Sequence, residues 1–292
     1  MPSPRAARAA LLAVAAVSLL AVVETAVALI APARAPSDAD WQHAAAEVRA
    51  GFRAGDLIVA APTWADPILR VHLGDLIPAE VAGRLDDERF GRVWEVSQRG
   101  ARAEEASRGR VISERKAGRL TVRLLERPAA VVGYDFVAQW LDARVSRRAA
   151  GGADVDCERA GDRIQCPGVG YNFVRPQMVE VDQRLRRALL AQPVPQATVV
   201  VEYPVVSLGR TLVVASGLHN TWMRKEASGS VDMRVVVGTE VDVSFTTRNE
   251  DAWTVRRIDT SARAGKLAVV RFEITSPEPY ARHFAFAAEV RE

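Results

Sequence analysis

The side chains best equipped for chemistry gather in two places. Downstream of the apolar run 57–61 stand Thr63, Trp64, Asp66, Arg70, His72 and Asp75. Ligands of open α/β sheets collect just past the carboxyl ends of strands, which makes this stretch the first candidate pocket. Arg70 would hold a phosphate, carboxylate or sugar oxygen, Asp66 would accept hydroxyl hydrogens, and the face of Trp64 would stack on a pyranose ring. A plainer reading competes: Asp66-Pro67 is a helix start, with Asp as the cap and Pro in the first turn, and Trp64 simply packs. The second group is His219, Asn220, Trp222 and Arg224, followed by Asn249, Asp251 and Trp253. Aromatic faces, planar amides and charges on loops suit carbohydrate contact on a rigid sheet scaffold. Against that, Trp253 could open a strand and enter the core, with Asn249-Glu250-Asp251 a turn.

Neither group supplies the parts of a known catalytic machine. His43 and His72 sit beside Trp41 and Arg70, but a base needs an orienting partner and a nucleophile within reach. The sequence has no Gly-x-Ser-x-Gly elbow, no Cys-x-x-Cys and no His-Glu-x-x-His, so no catalytic residue, metal site or cofactor is assigned. Carboxylates are plentiful, yet sequence does not give the roughly 5 to 9 Å separation that glycoside hydrolysis requires. The 39 cationic residues face 36 acidic ones, for a net charge of +3. With no long run of either sign, nucleic acid is not an expected partner.

The elements that must position these residues begin with a leader. Arg5 and Arg8 precede an apolar run over 9–31, which at about 1.5 Å per helical residue is long enough for a hydrocarbon core of roughly 30 Å. It predicts a cytoplasmic tail over 1–8 and a transmembrane anchor over 9–31. The alternative is a signal peptide cleaved after Ala33-Arg34-Ala35, which Pro36 opposes. Either way residues 36–292 are expected to be exported, because the positive flank stays inside.

After a linker over 32–39, residues 40–145 predict a small α/β module. Trp41, Ala44, Ala45, Val48 and Phe52 recur at helical spacing, with Ser37, Asp38 or Asp40 as cap. Gly55-Asp56 ends this helix and opens a strand over 57–61, apolar throughout as if covered on both faces. A helix over 67–73, a strand over 92–97, helical residues over 101–108, a strand over 119–127 and an ambiguous segment over 134–145 follow. Alternating helix and strand favours a mostly parallel sheet.

Beyond a linker over 146–156, residues 157–292 predict an antiparallel, jelly-roll-like β-sandwich. Its strands fall at 198–206, 211–215, 231–237, 241–246, 253–258, 267–274 and 283–290, several with clean alternation. Cys157 and Cys166 enclose a Gly-Asp turn between two short strands and would staple a hairpin in an oxidising compartment. Residues 183–190 form a basic amphipathic segment, either a solvated face or a contact for anionic headgroups.

With its Asp-Trp before an amphipathic helix, GDLIVAAP and then RVWEVSQRGA, the first module resembles the exported soluble module of polyprenyl-phosphate-sugar-dependent membrane glycosyltransferases. VDCERAGDRIQCPG, VEVDQRLRRALL and TRNEDAWTVRRIDTSA resemble a β-sandwich fused to such modules in bacterial exported proteins. Those transferases carry catalytic carboxylates between many membrane helices, which are absent here. The resemblance therefore implies a detached exported portion of such a system, not the transferase, and the function expected of the chain is that of a membrane-anchored, non-catalytic accessory module that binds glycan or envelope material. The alternatives are an enzyme or enzyme remnant acting on glycans or lipid-linked sugars, and a structural partner of a membrane glycosyltransferase.

Overall fold

The computed structural model describes residues 4–78, 81, 86–149, 151–168, 170–219, 229–239, 241–279 and 282–292. They form two compact units, one of Met1–Gly74 with Arg92–Glu126, the other of Asp75–Gly91 with Arg127–Glu292.

The first unit opens with α1 (Pro4–Arg34), whose side chains from Leu12 to Ala28 are exposed. Among the described residues no helix is long and apolar enough to cross a membrane, so the span expected over 9–31 is not shown. The remaining elements are α2 (Asp38–Gly51), β1 (Leu57–Ala61), α3 (Asp66–Leu73), β2 (Arg92–Gln98), β3 (Arg110–Ala117) and β4 (Leu120–Glu126).

Ser37 is the cap of α2. Its hydroxyl accepts from the Asp40 amide at 3.3 Å while the Asp40 carboxylate accepts from the Ser37 amide at 2.8 Å, a reciprocal capping box. The helix buries Trp41, Ala44, Ala45 and Val48. Gly55, at φ 91°, provides the left-handed turn into β1. There the Asp56 carboxylate accepts from the Arg53 amide and from Trp94 Nε1, both at 2.9 Å.

The sheet order is β1-β2-β4-β3. Its expected mostly parallel character is corrected: β1 and β2 are parallel, while β2–β4 and β3–β4 are antiparallel. A parallel pair needs a crossover of roughly a dozen residues or more, which the connection carrying α3 provides. The two-residue turn Gly118-Arg119 can only reverse the chain. Residues 101–108 hold only a 3₁₀ turn at Glu104–Ala106 in place of the expected helix.

The second unit is a β-sandwich. Its strands are β5 (Val132–Asp135), β6 (Arg144–Ala149), β7 (Asp154–Asp156), β8 (Glu158–Ala160), β9 (Arg163–Gln165), β10 (Phe173–Val181), β11 (Arg184–Ala191), β12 (Ala197–Ser207), β13 (Thr211–Leu218), β14 (Val231–Val237), β15 (Val241–Thr247), β16 (Thr254–Asp259), β17 (Leu267–Thr275) and β18 (Phe284–Arg291). One sheet runs β16-β13-β18-β11-β10-β9-β8, with β5 also on β18; the other runs β15-β14-β17-β12-β6-β7. Phe136, Tyr203, Phe272 and Phe286 belong to the shared core. The Phe136 and Tyr203 rings meet edge to face at 4.8 Å.

Three boundaries differ from expectation. Residues 132–135, placed in the α/β module, instead pair Tyr134 with Val290 and Asp135 with Glu289, and the adjacent Phe136 is fully buried. The linker over 146–156 holds strand: β6 pairs with β12 and β7 with β6. Residues 183–190 are mostly β11, because Asp182 and Gln183 take φ of 51° and 61° and make the two-residue turn that folds β11 back on β10. The Cys157–Cys166 disulfide is present and closes the hairpin of β8 and β9.

Candidate functional site

Strand β18 organises a cavity with an apolar floor and a charged rim. Along one edge it pairs with β13, from Thr211 opposite Arg291 to Leu218 opposite Phe284. Its other edge is shared. β11 takes Ala285 and Phe286, while β5 takes Glu289 through Arg291. Directly opposed residues project to one face, so Arg257, Val213, Glu289 and Asp135 form a row across four strands. Val255, Ala215 and Ala287 form the next. Alternation turns this face away from the one bearing Leu212, Val214, Phe286, Ala288 and Val290.

Where β11 leaves β18 and β5 takes its place lies a cavity of about 280 Å³. Val213, Ala215 and Ala287 make its floor. Asp135 and Val137 come from the β5 side, Arg186 and Arg187 from β11, and Asp86, Arg89 and Phe90 from the segment ahead of Gly91. Asp135 is fixed by its own turn: its carboxylate accepts from the Val137 and Ala138 amides at 2.9 and 3.0 Å.

The rim is an ion-pair lattice. Arg89 reaches Asp86 at 3.3 Å, Asp135 at 3.0 Å and also Glu289. Arg291 contacts Asp86 at 2.5 Å, Glu88 at 2.7 Å and Glu289. Glu88 is also paired with Arg257, and Arg127 holds Asp87 at 2.9 Å and the Phe90 carbonyl at 3.0 Å. Burial pulls the Arg89 and Arg291 guanidinium groups down, but their carboxylates outweigh it and hold both above the ordinary arginine value. For Arg186 burial outweighs the attraction of Asp86 and Glu289, Arg89 and Arg291 add repulsion, and its value is lowered. The arrangement offers fixed donors and acceptors around an apolar floor.

The residues singled out from sequence lie elsewhere. Trp64, in a 3₁₀ turn, is 65% exposed. Asp66 does not cap α3, whose N-cap is Ala65; its carboxylate instead takes Arg70 Nε at 2.5 Å. His72 Nε2 lies 3.2 Å from the Asp38 carboxylate, and Asp75 lies in the 3₁₀ turn Gly74–Leu76. The structure thus joins Asp66 to Arg70 and His72 to Asp38, without placing them in the cavity above. At one end of the sandwich, His219 Nδ1 is 2.8 Å from the Glu180 carbonyl, Asn249 accepts from the buried Arg282, and Asp251 accepts from the Arg248 amide at 2.7 Å. Trp253 is buried, with Nε1 donating to the Arg184 carbonyl at 3.0 Å. Asn220, Trp222 and Arg224 lie outside the described residues.

Sequence reasoning missed Asp86, Arg89, Asp135, Arg186, Arg187 and Glu289. One trace was visible: Glu289 and Arg291 alternate with Phe286, Ala288 and Val290, which marks a polar patch on the far face of β18.

No family model matches the chain, and no curated protein sequence matches it. Among solved structures it is similar to the CBM51-2 and INT domains of Clostridium perfringens ZmpB, in complex with GlcNAc. That match has 13% identity and a TM-score of 0.33, covering 65% of this chain and 43% of that one. It is also similar to Xylanase10C of Cellvibrio japonicus in complex with xylopentaose (8% identity, TM-score 0.25, covering 51% and 26%). A third is the xylan-binding module CBM15 (7%, TM-score 0.22, covering 50% and 90%). These neighbours are carbohydrate-binding and glycan-active proteins, and at such scores the likeness assigns no function. None of the three is described as a glycosyltransferase, so that resemblance gains no support.

Proposed function

We propose that this chain is a non-catalytic carbohydrate-binding protein, exported and tethered by its apolar leader. The observation that carries the binding is the cavity at the β18 edge. An apolar floor of Val213, Ala215 and Ala287 suits the C–H face of a sugar ring, and carboxylates and guanidinium groups fixed around it suit hydroxyls. Each rim carboxylate is already engaged by arginine, which favours holding a ligand over proton transfer to one. The Cys157–Cys166 disulfide supports export, since such bonds persist in oxidising compartments.

A glycan array probed with the full chain tests this. Retention on one or more saccharides is expected, and Ala287→Leu, which fills the floor, abolishes it while leaving the thermal midpoint within a few degrees. Folded protein that retains no saccharide sinks the reading. Equal retention by Ala287→Leu moves the site elsewhere.

A further inference from the structure

We infer that the cavity selects a single uncharged sugar ring, an inference that rests on the carbohydrate-binding reading and narrows it. The residues lining the cavity carry three carboxylates, Asp86, Asp135 and Glu289, and three guanidinium groups, Arg89, Arg186 and Arg187. The two kinds are interleaved. Arg89 stands within ion-pair distance of all three carboxylates, so an anion approaching it meets negative charge, and a cation approaching the carboxylates meets Arg89. A hydroxyl group avoids that conflict. It donates to a carboxylate oxygen and accepts from a guanidinium N–H at the same time, so adjacent ring hydroxyls can span a carboxylate–arginine pair without breaking it.

Size sets the second limit. At about 280 Å³ the cavity lies just below the roughly 300–1,000 Å³ of drug-sized ligand sites, room for one ring over its floor; further rings would have to lie in the adjoining groove of about 420 Å³ that shares Asp86, Arg186 and Val213. The third feature is rigidity. The segment bearing Asp86, Arg89 and Phe90 is fastened to β18 by Arg291 and to β16 by Arg257, and Arg127 holds its Asp87. The rim is therefore formed before a ligand arrives, which lowers the ordering cost of binding.

Isothermal titration of the full chain with methyl hexosides, the corresponding uronates and the 2-amino sugars, at low and high salt, tests the inference. A hexoside is expected to bind tightest, with uronate and amino sugar about tenfold or more weaker because each meets like charge. Its affinity should change by less than about twofold with salt, since it brings no charge to screen. Arg187→Glu shifts the rim to two cations and four anions on an exposed side chain, and should make the amino sugar the preferred ligand. Tightest binding of a uronate or amino sugar by the unaltered chain overturns the inference and leaves carbohydrate binding standing. So does an unchanged preference in Arg187→Glu. Absence of any saccharide binding by folded protein overturns both.

Discussion

Arg291 is 5% exposed and meets Glu289, itself 8% exposed, along with Asp86 and Glu88. Replacing it with Met removes one of the two guanidinium groups that hold the buried Glu289. Glu289 keeps Arg89, so a loss of about 2 kcal/mol is expected in urea unfolding, below the roughly 3–5 kcal/mol of a fully stranded buried charge. His283 gives a second prediction, with its sign set by burial. Burial, and then the neighbouring His219, hold its imidazole below the usual value, so the folded state resists protonation more than the unfolded one. Its contribution is therefore complete above about pH 6.5 and is lost as pH falls below that. The thermal midpoint should decline on acidification, and less so in His283→Gln; an equal decline in both would refute the assignment. At this scale the sequence was partly legible. Trp253 entering the core and Asn249-Glu250-Asp251 forming a turn follow from local pattern. Arg186 and Arg187 gave no such sign, because their role depends on where β11 parts from β18.

Elements show why some assignments succeeded. The α2 cap and apolar stripe are local, and Ser37→Ala, which removes the hydroxyl half of the capping box, should cost about 1 kcal/mol in the stability of the first unit. Unchanged stability would mean that the cap is dispensable. The seven later strands of the sandwich were legible, several of them from alternation, as in Met233, Val235 and Val237, all buried. β3 was not, since its residues are mostly exposed and polar and it is held by pairing with β4. Strand β18 was legible as a one-faced strand, yet all eight of its residues are buried. Its second face is covered by the ion-paired segment around Arg89, which no local pattern announces. The disulfide of the β8–β9 hairpin joins positions 9 apart, a short loop, so its removal should cost roughly 2–3 kcal/mol. Cys157→Ser with Cys166→Ser should lower the unfolding midpoint of the sandwich, and reductant should add nothing further to that variant.

For the whole molecule, the alternation of helix and strand followed by strands alone predicted a division near residues 146–156, whereas the compact units are discontinuous, Met1–Gly74 with Arg92–Glu126 and Asp75–Gly91 with Arg127–Glu292. The division of residues between them was not legible. Asp75–Gly91 and Arg127–Asp135 follow the sandwich because of pairings made with residues far along the chain, and only the assembled sheets reveal those. The same feature has a thermodynamic result. Arg291 reaches Glu88 and Asp86 across 203 and 205 residues of sequence, with Asp135 and Arg186 drawn from between them, so no fragment or partly opened form contains the whole cavity. A ligand held there would recognise only the completely folded sandwich, and by mass action it would stabilise all of it equally. At a hundredfold excess over Kd that is about 2.7 kcal/mol. Hydrogen exchange limited by global opening should slow by the same factor in strands as distant as β8 and β15, so occupancy can be measured from backbone amides that never touch the ligand.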